Sequence, residues 1–170
     1  NPAPTLKPLE DDELEEDEDS HVYLEGSDTV SDRDFLQYML DYGNGTCTNW
    51  SADPDFPLLY TLSGEYELNA SVMDDDGAVT SRSFFIEVEN VEPEAEAGAD
   101  RVSVDEDGVL HFDGTESEDT PSDMATLEYA WDFGDGDYGE GVEVSHVFRS
   151  SGRFRVELTV SDDDGEESGS

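Results

Sequence analysis

The chain repeats itself, and the repeat sets its fold before any other feature does. "QYMLDYGNG" (37–45) returns as "EYAWDFGDG" (128–136), 91 residues later. "SGEYELNASVMDDDG" (63–77) returns as "SGRFRVELTVSDDDG" (151–165) and "VYLEG" (22–26) as "LHFDG" (110–114), both at an offset of 88. Even the entries echo each other, "NPAP" at the start and "NVEP" at 90–93. A period this long, met twice in 170 residues, specifies two copies of one folded unit rather than a solenoid of short repeats. The boundary predicted from these matches divides the chain into 1–91 and 92–170.

Each copy reads as strands. Leu127, Tyr129, Trp131 and Phe133 alternate with polar residues, as do Phe154, Val156, Leu158 and Val160, and in the first copy Tyr66, Leu68, Ala70 and Val72. A period of two gives each strand one buried and one wet face. Turn residues recur every 8 to 15 positions and no helical period appears. Several short antiparallel strands in about 85 residues predict an all-β fold, two tandem β-sandwiches. Trp131 and Phe133 are then core residues of the strand that runs into the Gly134–Gly136 turn.

The second copy, "AGADRVSVDEDGVLHFDG", "YAWDFGDG", "GVEVSHVF" and "SGRFRVELTVSDDDG", resembles the PKD domain, the immunoglobulin-like module named for polycystic kidney disease protein. The first copy resembles it more loosely, with Leu40 in place of the Trp, Asn44 in place of the turn Asp and Leu58 in place of the His. The resemblance implies a non-catalytic extracellular or cell-surface structural or adhesive module, a spacer in a tandem-repeat protein or filament, partnered by neighbouring repeats, copies of itself, glycans or matrix. The second reading it allows is an accessory binding or spacer region of a secreted protease or chitinase. The discriminating observation is the flanking sequence.

Charge narrows the partners. With 47 Asp and Glu against 7 Lys and Arg, the formal charge is −40. Such a surface repels nucleic acid and anionic membranes and needs screening by salt or bound cations. Lys7 is the single lysine; acid excess with scarce lysine fits high salt and a calcium-loaded extracellular surface alike. One cysteine, Cys47, leaves no intrachain disulfide, and no apolar run reaches membrane-spanning length.

No nucleophile–base pattern, H-E-x-x-H or phosphate-cradling glycine loop occurs, so no enzyme activity is predicted. Acids on turns favour Ca²⁺, which takes six to eight oxygens. Alternating strand directions bring the segment 92–100, the loop 115–123 and the hairpin 161–167 to one pole of the second unit. The expected ligands are Glu92, Glu94, Asp119, Asp162 and Asp163, with the acids of 15–20 in the first unit expected to help form a calcium-bridged junction. The acidic run 10–19 is expected to supply a first strand and its turn. Three N-x-S/T sequons fall within the first copy, at Asn44, Asn49 and Asn69, and mark candidate glycosylation sites. Finally, "SRSFFIEVEN" (81–90) closes the first unit as a strand. By the offset of 88 its equivalent would begin near residue 171, which leaves the edge of "RFRVELTV" open for a continuing chain or a donated strand.

Overall fold

The computed structural model describes residues 2–29, 35–98 and 105–169; Ala99 and Asp100 of the predicted acidic entry segment lie outside them. The chain divides into two units, Asn1–Glu89 and Asn90–Ser170. The division falls two residues before the one drawn from the repeats, because the Asn90 side chain belongs to the second unit, where its Nδ2 donates to Asp162 Oδ2 at 2.8 Å.

Unit one contains β1 (Thr5–Leu6), β2 (Asp12–Glu15), β3 (Ser20–Tyr23), β4 (Gly26–Ser27), β5 (Gln37–Asp41), β6 (Asp55–Leu58), β7 (Gly64–Met73) and β8 (Val79–Glu89). One sheet has the order β2-β8-β7-β5, with β2 parallel to β8 and the other pairs antiparallel; β3 pairs β6, and β1 pairs β4. Part of the acidic run is therefore a strand. Leu14 is its buried residue, and Asp17 turns the chain in a left-handed conformation (φ 56°). Leu6, Leu24, Leu40, Phe56, Leu58, Leu68, Ala70, Val72 and Ile86 fill the core.

Unit two contains β9 (Val109–Asp113), β10 (Glu128–Asp132), β11 (Tyr138–Glu140), β12 (Glu143–Val147), β13 (Glu157–Ser161) and β14 (Glu167–Gly169). One sheet has the order β11-β10-β13-β14 and the other pairs β12 with β9. Its core holds Ala95, Trp131, Phe133, Phe148, Leu158 and Val160, with Phe112, Tyr129 and Phe154 packed against it. Each unit is an immunoglobulin-like all-β sandwich. Trp131 is 1% exposed and its Nε1 donates to Gly141 O at 2.9 Å, so the indole is both buried and satisfied.

The expectation that the last strand of unit two begins only near residue 171 is revised, since Glu167–Gly169 already form a three-residue strand there. β14 pairs β13 through Thr159↔Gly169, Val160↔Ser168 and Ser161↔Glu167. Shifted by 88, these are the pairs Ser71↔Ser81, Val72↔Thr80 and Met73↔Val79 of β7 and β8. The closing strand therefore begins at Glu167, at the position of Val79; the quoted repeat "SRSFFIEVEN" started two residues inside β8 and so hid its beginning.

The turn after β5 or β10 shows why the first of its two glycines is needed in both copies. Gly43 and Gly134 have φ of 72° and 73°. A Cβ on Gly43 would lie 2.6 Å from Glu67 O, and one on Gly134 would lie 2.3 Å from Arg155 O. Both the conformation and the close backbone approach exclude a side chain.

Candidate functional site

At one end of unit two, three segments meet. Glu94 and Glu118 exchange backbone hydrogen bonds of 2.7 and 3.0 Å, which tie the entry segment to the loop after β9. Glu96 N donates to Oγ of the buried Ser117 at 3.1 Å. The β13–β14 hairpin adds Asp162, 7% exposed, whose Oδ1 accepts from Gly165 N (2.7 Å) and Glu166 N (3.0 Å). Asp163 Oδ1 accepts from Thr126 Oγ1 at 2.9 Å. Asp123, 2% exposed, accepts from Thr120 Oγ1 at 2.9 Å.

Two oxygens in this cluster are left over. Asp119 Oδ1 accepts from Thr120 N at 2.7 Å, but its Oδ2 is buried and accepts no hydrogen bond. Asn90 donates to Asp162, but its Oδ1 is likewise buried without a partner. Buried acceptors in native proteins are nearly always satisfied, so each of these oxygens calls for a donor or a cation. The electrostatics agree. Burial pushes the Asp119 carboxyl up, and the charges of Asp123, Asp162 and Asp163 push it further than the Thr120 N–H can offset. Burial also pushes Asp162 up, but the hydrogen bonds from Asn90 and from the hairpin N–H groups prevail and hold it below the usual carboxylate range. Asp162 is a preformed anion, and Asp119 is one that its surroundings resist.

Of the five ligands expected from sequence, Asp119 lies close enough to Asp162 and Asp163 to feel their charges, but the three carboxylates are not among the groups whose ligand atoms lie within 4.8 Å of one another. Glu92 and Glu94 are exposed, and Glu94 joins the site only through its backbone. Asn90 and Asp123 were missed. Asn90 stands in the stretch "NVEP", which reads as a linker, and Asp123 is hidden in the loop 115–123, where four of nine residues are acids. Asn44, Asn49 and Asn69 of unit one are all exposed; Asn44 Oδ1 accepts from Thr46 N and Oγ1 at 3.0 and 2.6 Å.

A second group lies in unit two on the turn after β10. His146 Nε2 and Asp135 Oδ2 are 2.8 Å apart, and the ligand atoms of Asp135, Asp137 and His146 all lie within 4.8 Å of one another. The His146 ring stacks on Phe133 (4.0 Å, 2°) and meets Phe148 edge-on (4.6 Å, 88°). His146 is the histidine of "GVEVSHVF", and nothing in the sequence pattern points to its bond with Asp135.

Two units of this kind define an immunoglobulin-like all-β module. Residues 90–170 match the family model of the PKD domain, and unit two belongs to that family. The chain is 39% identical over 77 residues to collagenase ColA of Clostridium perfringens, covering 45% of the chain and 7% of the collagenase. It is 27% identical over 144 residues to the pre-pro-metalloprotease PrtV of Vibrio cholerae, covering 85% of the chain and 15% of that protein. The PKD1 domain of Vibrio anguillarum Epp aligns with 52% of the chain and 99% of its own length at 27% identity and a TM-score of 0.36. The chain thus spans a small part of these curated relatives. No helix among the described residues is long and apolar enough to cross a membrane.

Proposed function

We propose that this chain is a non-catalytic extracellular region of two tandem PKD-type sandwiches, serving as a calcium-stiffened spacer or binding module beside the catalytic domain of a secreted hydrolase. The stretches it shares with a collagenase and a metalloprotease support this reading, since they form only a small part of each enzyme. Unit one is included because its β5–β7 and β7–β8 registers coincide with those of β10–β13 and β13–β14 under the repeat offsets. The reading as an adhesive repeat of a surface protein or filament, with glycans or matrix as partners, rests on the same tandem organisation. The exposed Asn44, Asn49 and Asn69 are its glycosylation sites if the chain is exported to a glycosylating compartment.

The single observation that carries the calcium assignment is the pair of buried, unsatisfied oxygens Asp119 Oδ2 and Asn90 Oδ1. With Asp162 and Asp163 they would supply oxygen ligands of the kind a hard cation takes, after side-chain movement to draw them into one shell. The bound ion would supply charge compensation and rigidity. A Ca²⁺ titration of thermal stability tests it. The midpoint of unit two should rise with Ca²⁺ and far less with Mg²⁺ or with NaCl at matched ionic strength, by linkage to the bound state. Equal stabilisation by all three salts would reduce the effect to screening of the −40 charge and remove the calcium site.

A further inference from the structure

The turn of unit two carries chemistry that a calcium-binding spacer does not use. Asp135, Asp137 and His146 converge from the β10–β11 turn and from β12, with ligand atoms within 4.8 Å of one another. The histidine is not a loose surface residue. Its side chain is 10% exposed and its ring is clamped between the face of Phe133 and the edge of Phe148. That clamp turns Nε2 toward the carboxylates, where Asp135 Oδ2 lies at 2.8 Å. The other oxygen of Asp135, Oδ1, is held by Asp137 N at 3.1 Å. The stretch "WDFGDGDYGEG" holds no lysine or arginine to neutralise it.

We propose that Asp135, Asp137 and His146 form a binding site for a divalent cation of the zinc class, with one imidazole nitrogen and two carboxylate oxygens as ligands and water completing the shell. Donor chemistry selects the ion. Ca²⁺ and Mg²⁺ prefer all-oxygen shells, whereas imidazole favours Zn²⁺ and its first-row neighbours. Zinc takes nitrogen and carboxylate ligands at about 2.0–2.2 Å, so three atoms already gathered this closely need only small side-chain rotations. The aromatic clamp and the Asp137 N–H do the orienting that outer partners do in metal centres. The site is distinct from the Asn90–Asp119–Asp162 cluster in residues and in ion class. The chain also carries its own control. The repeat offsets place Asn44, Thr46 and Leu58 at the corresponding positions of unit one, a set with neither carboxylate nor imidazole.

The test uses the whole chain, stripped with EDTA and then held in millimolar Ca²⁺ and Mg²⁺ to fill sites for hard cations. Zn²⁺ is titrated by calorimetry and the three histidines are followed by NMR. One equivalent of Zn²⁺ should shift the ring signals of His146 and leave those of His21 and His111 in place. Co²⁺ should show visible ligand-field bands. Asp137→Asn should weaken binding about tenfold or more, and His146→Gln should abolish it. Asp137 is exposed, so its variant keeps the fold even if the histidine variant does not. Absence of Zn²⁺ binding, unchanged affinity in Asp137→Asn, or a response centred on the exposed His21–Asp55 pair (3.1 Å) would each overturn the proposal and leave His146–Asp135 as a hydrogen-bonded pair.

Discussion

The two units share a register and differ in what fills it. At one position of the strand before the turn, unit one has Leu40 and unit two has Trp131, each buried. Across the ladder Leu40 faces Ala70 and Trp131 faces Leu158. Unit one builds a mainly aliphatic core in which Tyr38, Phe56, Tyr60 and Phe84 are also buried, with a ring contact between Tyr60 and Tyr66. Unit two chains Trp131, Phe112, Phe133, His146, Phe148 and Phe154 through successive ring contacts. Backbone geometry is thus the shared element, and core chemistry is free to diverge provided each layer is filled. The ionic features follow the core: the histidine that meets Asp135 sits in the aromatic chain, and its counterpart Leu58 is simply buried.

Substitutions at the paired positions sharpen this contrast. The largest loss is expected from Trp131→Ala, about 3–5 kcal/mol, as for other large aromatic truncations. Calorimetry of the whole chain should show the transition of unit two falling while that of unit one stays. Near-normal melting would place the indole outside the core. Next come the turn glycines, where the units should behave alike. Gly134→Ala and Gly43→Ala should each cost on the order of 2–4 kcal/mol from strain and close contact. Gly136→Ala and Gly45→Ala, whose Cβ atoms would meet nothing within 4 Å, should cost about 1 kcal/mol through φ alone. If all four cost the same, backbone approach is not what preserves the turn.

The calcium reading predicts a change of sign. Asp119 has its folded carboxyl raised by burial and neighbouring acids. Its ionised form therefore works against folding above the folded pKa, and that penalty fades as pH falls through it. Without Ca²⁺, Asp119→Asn should stabilise unit two by about 1 kcal/mol; with Ca²⁺ the same change should destabilise it. Asp162 has the opposite linkage, since its lowered carboxyl supports the fold above the ordinary carboxylate range and loses that support as pH falls. Chemical denaturation with and without Ca²⁺ reads both. The smallest effect belongs to unit one. Tyr60 is pushed up to about 12 by burial, with Tyr66, Tyr42 and Asp41 adding to it, and its hydroxyl donates to Tyr42 O at 2.9 Å. The neutral phenol supports the fold below pH 10 and this support is lost as pH rises toward 12. Tyr60→Phe should cost about 1 kcal/mol at neutral pH and flatten that alkaline decline. Unit two, with Phe148 at the equivalent position, should show no such phenol-linked decline.

The sandwich and its core were legible because alternation and repeat report the same thing: Leu158, Val160, Trp131 and Phe133 are buried where period two puts them. The parallel pairing of β2 with β8 was not, because a short strand in an acidic run carries one apolar residue, Leu14, and no pattern of partners. Strand direction alone placed Asp119, Asp162 and Asp163 on neighbouring turns whose charges act on one another. Asn90 could not be placed this way, because its role depends on a side-chain amide reaching across 72 residues of sequence to Asp162. The bond between His146 and Asp135 was hidden for a related reason: it crosses from one sheet's turn to the other sheet's strand.

Identical registers in adjacent copies expose the nascent chain to a particular error, since a strand of one copy has the hydrogen-bond spacing to enter the other. The facing pairs discourage it. A hybrid with Trp131 against Ala70 would leave the indole underfilled opposite, and one with Leu40 against Leu158 would mismatch the volume of the layer it entered. Divergence between the cores therefore acts as a proofreading device during synthesis, so that two copies of one topology mature without exchanging parts.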